Sequence, residues 1–100
     1  MLKTSKPSLE EAEVIALKAL AFLANDVDRL GRFLALSGVS PGDLRQAAAN
    51  PQFLAGVLNH LLQDESLLLT FTADADLDPR QAALAAELLN GPPDRLHSPG

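Results

Sequence analysis

The chain has no cysteine, tryptophan or tyrosine, and only one methionine and four phenylalanines in 100 residues. Without cysteine there is no disulfide framework, no thiolate nucleophile and no thiolate-ligated metal. The shortage of aromatic and β-branched side chains removes what strands prefer, and the abundant Leu and Ala favour helix. Cations are scarce as well: 8 Lys and Arg face 13 Asp and Glu, for a net charge of −5. Nucleic-acid affinity rests on cations that displace counterions, and anionic lipid attracts the same side chains, so neither nucleic acid nor membrane is an expected partner. Long apolar runs are missing too. The longest stretch of low polarity, Val14–Ala24, is far shorter than the roughly 20 residues of a membrane span. It follows Glu10, Glu11 and Glu13 and lacks a cleavage region, which argues against an export signal. The expected location is the cytoplasm.

What is present is a series of helix signals. Val14–Ala24 reads V-I-A-L-K-A-L-A-F-L-A, with Lys18 its only polar residue, and a helix that apolar must be covered on nearly every side. Ser8 opens it with a capping box, S-L-E-E, and Glu10, Glu11 and Glu13 suit the positive end of the helix dipole. Lys18 and Glu11 lie within about 20° of each other around the helix, which marks a narrow solvent edge. The helix is expected to stop near Asn25. Asn25 or Asp26 caps a second helix, Val27–Ser37, with Val27, Leu30, Phe33, Leu34 and Ala35 inward and Gly38 as its terminator. Gly31 in its middle calls for a close helix crossing.

Ser40-Pro41, Asn50-Pro51 and Asp78-Pro79 each place a capping side chain before a proline suited to the first helical position. They predict helices over Pro41–Ala49, Pro51–Leu62 and from Pro79 to Leu89, and Asp64 caps another over Glu65–Ala75. In the Pro51–Leu62 helix, Phe53, Leu54, Val57, Leu58, Leu61 and Leu62 share one half, and Gln52, Gly56, Asn59, His60 and Gln63 the other. The expected fold is all-α: a compact orthogonal bundle of five to six short helices wrapped around helix 1, with helices 2, 4 and 5 as its cover. Residues 1–7 read as a flexible leader, 8–91 as one helical domain, and the proline-rich 92–100 as a disordered tail.

Sites are few. A-L-S-G-V-S-P-G-D-L-R-Q has the layout of a helix-turn-helix corner, which makes a DNA-binding regulator through Ser37–Asn50 one alternative function. Its reading helix would carry Asp43, Arg45 and Gln46 and then three alanines, so a structural corner is the preferred explanation. Asp74, Asp76 and Asp78 copy the start of a calcium loop, but Pro79 stands where the turn needs glycine and Ala85 where a glutamate should be. Helix termination and capping account for those aspartates. His60 lies one turn before Asp64, half of a metal or acid–base site, and a small-molecule or metal binder there is the other alternative. The second histidine, His97, belongs to the tail. Ser37, Ser40 and Ser66 have no base placed to activate them, so no enzyme and no cofactor is expected. Arg29, Arg32 and Arg45 form a candidate basic patch for an acidic partner.

The segments A-L-K-A-L-A-F-L-A, L-G-R-F-L-A-L-S-G, D-L-R, F-L-A-G-V-L and D-E-S-L-L-L-T-F together resemble a family of small bacterial proteins known only as a domain of unknown function. The resemblance spans Glu11–Leu89. It implies a cytoplasmic globular domain and brings no catalytic or binding residue with it. The leading expectation is a non-enzymatic helical domain that binds another protein or itself.

Overall fold

A computed structural model describes residues 7–91, and the chain within them folds through its caps. The first helix, α1 (Leu9–Ala24), starts from the Ser8 box: the Glu11 amide donates to Ser8 Oγ at 3.1 Å and the Ser8 amide to Glu11 Oε1 at 2.8 Å. It ends at Asn25. In α2 (Val27–Ser37), Asp26 accepts from the amides of Asp28 and Arg29, and Gly38 closes the helix in the left-handed region at φ 79°. Next come α4 (Pro51–Leu62), α5 (Glu65–Ala75) and α6 (Pro79–Asn90), capped by Asn50, Asp64 and Asp78, with amide donors at 2.8, 3.2 and 2.9 Å. The expected leader and tail lie outside the described residues, apart from Pro7, which is buried.

One predicted helix is broken. Pro41–Ala49 divides into a 3-10 turn (Pro41–Asp43) and a single α-turn, α3 (Leu44–Ala47). The Ser40 backbone is extended, as a cap requires, but its hydroxyl donates to Asp43 Oδ2 at 3.0 Å and caps nothing. The chain closes there into a 3-10 turn, with the Asp43 amide donating to the Ser40 carbonyl at 3.0 Å.

The result is an all-α bundle built on α1, which touches α2, α4, α5 and α6. Its centre is α1, α4 and α6. The sequence expectation had α6 outside the cover of α1, but α6 packs on α1 more closely than α2 or α5 does. Small side chains make that possible. Ala12, Ala16 and Ala19 of α1 are fully buried, and the buried set of α6 is Ala82, Ala85, Ala86 and Leu89. Two alanine surfaces let backbones approach, and Leu23, Val57, Leu58, Leu61 and Phe71 fill the space around them. Phe22 meets Phe71 with ring centroids 5.5 Å apart, a tilted pairing typical of aromatic cores.

Two further expectations are corrected. Val27 is 84% exposed because the ridge it shares with Leu34 is covered only from Leu30 onward, and Ala35 is exposed as well. No helix crosses at Gly31: a Cβ there would meet nothing within 4 Å.

Candidate functional site

The polar half of α4 predicted from residue spacing lines a groove of about 410 Å³ between α2 and α4. Gln52, Gly56, Asn59, His60 and Gln63 supply one wall; Phe33, Leu36 and Ser37 of α2 supply the other. Three rings stack along the groove. Phe33 is edge-on to Phe53 at 5.6 Å and to His60 at 5.2 Å.

Beyond His60 a second cleft of about 220 Å³ opens, lined by Asp28, Arg29, Arg32, His60, Asp64 and Leu67. Two groups of candidates that lie far apart in sequence, Arg29 with Arg32 and His60 with Asp64, therefore meet in one place. Their chemistry is largely committed. The Arg29 guanidinium lies 4.9 Å above the Phe22 ring, and its Nε is 3.8 Å from Asp26. Asp64 accepts from the Leu67 amide. Burial lowers the proton affinity of His60 below its ordinary value; the carboxylate of Asp64 opposes that shift and the charge of Arg32 reinforces it. Ser37 shares the neighbouring groove with His60, but its hydroxyl donates to the Leu34 carbonyl at 3.2 Å and accepts from the Val39 amide at 3.3 Å. No hydrogen bond joins Ser37 to His60 among the described residues.

Arg45 sits elsewhere. It lines a third, shallow groove of about 670 Å³ between α1 and the 3-10 turn with α3, together with Leu17, Leu20, Ala21, Ala24, Leu44 and Ala48. Here α1 departs from the sequence expectation. Lys18 is exposed as predicted, but the solvent strip around it is much wider than one edge, because Val14 and Leu17 are 47% and 45% exposed and Ala21 is exposed beside them. One charged residue in the run marks the face, and the residues three and four positions from it share that face. That rule picks out Val14 and Ala21, which are exposed, and equally Ile15 and Phe22, which are buried, so Lys18 marks the face without fixing its width. The ring cluster of the α2/α4 groove has no such marker.

Two aspartates of the calcium-like run have structural work. Asp76 ends α5 in the left-handed region at φ 58°, and Asp78 caps α6, its carboxyl held below its ordinary pKa first by the backbone amide of Arg80 and then by its side chain. Among the described residues no three metal-ligating side chains converge, and no helix is long and apolar enough to cross a membrane.

The pattern of DUF3572, described as a protein of unknown function, matches residues 9–92, which is most of the chain. The chain belongs to the DUF3572 family. No curated protein and no solved structure matches it.

Proposed function

We propose that this DUF3572 protein is a non-enzymatic, cytoplasmic interaction module, and that the face formed by α1 and α3 is its contact surface. One observation carries the reading: Val14, Leu17 and Ala21 lie open on the central helix of the fold and continue into an apolar groove with Leu44 and Ala48. Contiguous exposed apolar surface rimmed by polar residues is characteristic of protein contact sites. The rim here includes Lys18 and Arg45, exposed cations on a chain of net negative charge. Burying such a face against a partner removes apolar area from water, and the cations select partners that carry acids nearby.

The alternative of DNA binding has less support. Its reading helix is the single turn of α3, and Arg45 lies in the groove beside α1. Recognition in the major groove requires a helix that can lay several side chains along base edges. The small-molecule reading keeps one specific observation, the meeting of Arg29, Arg32, His60 and Asp64 around the cleft. Thermal-shift screening against metabolites and metal ions tests it, since a ligand of the native state raises the melting temperature.

The test of the interaction reading is light scattering of the purified chain combined with affinity capture, each repeated with Leu17→Asp. The expected result is a complex, with itself or with another protein, that Leu17→Asp abolishes without loss of helical circular dichroism. A chain that stays monomeric and retains no partner overturns it.

A further inference from the structure

Resting on that reading, we propose that the occupant of the α1/α3 face is a second copy of the chain, its α1 antiparallel to the first about a two-fold axis beside Val14. The charges of the face point to this arrangement. Its acids, Glu10 and Glu11, stand in the first turn of α1, and its bases, Lys18 and Arg45, stand beside the C-terminal half. All four are exposed. Glu11 and Lys18 form no ion pair among those found in the described residues. A helix face with acids at one end and bases at the other complements itself when turned end for end, the relation that a two-fold dimer imposes. A parallel pairing would set acid on acid and base on base.

The register follows from the same residues. With the axis between residues 14 and 15, Lys18 and Glu11 are each about 5 Å from it along the helix, in opposite directions. They also lie within about 20° of each other around the helix, and a two-fold axis in the interface apposes like flanks. Lys18 therefore faces the partner subunit's Glu11, and the pair occurs twice. On the other flank, Glu10 is directed toward the partner subunit's Leu17, Ala21 and Arg45. Val14 meets its own copy at the centre. Moving the axis midway between Val14 and Ala21 would bury more apolar surface, but it brings Lys18 against the partner subunit's Lys18. The charges thus choose a register that apolar area alone would not. The 16-residue α1 is about 24 Å long, and a ridge of that length offers less than the ~800 Å² per partner of a standard interface. The dimer is accordingly a weak one.

The chain has no cysteine, so Val14→Cys creates a single thiol next to the axis. The expected result is a disulfide-linked dimer forming at least ~10-fold faster than with Leu36→Cys, whose position on α2 is 73% exposed and lines the other groove. Lys18→Glu and Glu11→Lys should each weaken wild-type self-association, measured by sedimentation, by roughly tenfold, as expected when two symmetry-related exposed pairs turn from attraction to repulsion. Mixed together, the two variants should associate again. Circular dichroism checks each fold. If Glu11→Lys disturbs the cap, Glu10→Lys with Arg45→Glu makes the same test. A wild-type chain monomeric into the sub-millimolar range overturns the dimer, and the interaction reading then stands or falls on capture of a different protein sensitive to Leu17→Asp. A dimer indifferent to the charge reversals, with Val14→Cys no faster than Leu36→Cys, overturns this face and this register.

Discussion

Between Val14 and Ala24 the two sides of α1 are both largely apolar and opposite in fate. On one, Ala12, Ala16, Ala19 and Leu23 are fully buried; on the other, Val14 and Leu17 are almost half exposed. Hydrophobicity does not separate them. Size and neighbours do. The enclosed side carries alanines at the spacing that lets another alanine-faced helix approach, with Ile15, Leu20 and Phe22 as bulk around that approach. The open side has a lysine where a covering helix would have to lie, and taking that charge out of water without a partner is costly. One charged side chain in an apolar run thus says more about orientation than the ten apolar residues around it.

Matched substitutions test that contrast. Leu20→Asp should unfold the chain, because a buried unpaired carboxylate costs on the order of 5 kcal/mol, comparable to the whole stability of a small domain. Leu17→Asp, three residues from Leu20, should keep its helical circular dichroism. A folded Leu20→Asp would mean that the two sides are alike. Next in size, Ala19→Leu should cost about 1–3 kcal/mol in urea titration by overpacking the close approach, while Ala21→Leu stays within about 0.5 kcal/mol. The caps give a smaller version of the same contrast. Asn50→Ala should lose about 1 kcal/mol, since Asn50 holds the Gln52 amide, whereas Ser40→Ala should lose only a few tenths, since no amide depends on it. On the open side of α2, Gly31→Ala should gain between about 0.5 and 1 kcal/mol, because the new methyl meets nothing and the unfolded chain loses freedom.

The smallest effect is one of pH. His60 binds its proton less readily in the folded chain than at its ordinary pKa of 6.5, so below that value the unfolded chain takes up the proton first. Stability should therefore fall as pH drops through 6.5 toward the folded pKa, and His60→Gln should flatten that part of the denaturation profile. Asp78, whose carboxyl is held below its ordinary 3.8, acts in a separate and more acidic window: its contribution is present above 3.8 and is lost as pH falls through the folded value.

Helix boundaries were legible to within a residue or two wherever a cap and a proline acted together, as at Asn50-Pro51 and Asp78-Pro79, because those signals are local. Ser40-Pro41 shows the limit of that reading: the same kind of dipeptide opens only a 3-10 turn there, and the Ser40 hydroxyl is bonded to Asp43 and to no amide. The part played by α6 was hidden for another reason. Its inward residues are mostly alanines, which look unremarkable in sequence and matter only through what they allow another helix to do. At the candidate sites, the polar half of α4 could be drawn from spacing alone. That it would meet Arg29 and Arg32 depends on how α2 lies across α4, and no local pattern encodes that.

The Phe53–Phe33–His60 stack has a practical side. An imidazole set against a benzene ring sits in that ring's local magnetic field, so its carbon-bound protons should resonate away from the positions of a free histidine. The chain contains only two histidines, and with no indole or phenol in it the aromatic spectrum is sparse. A single displaced line would therefore report on the junction of α2 and α4, and its return to the free position during a titration would reveal when those helices part.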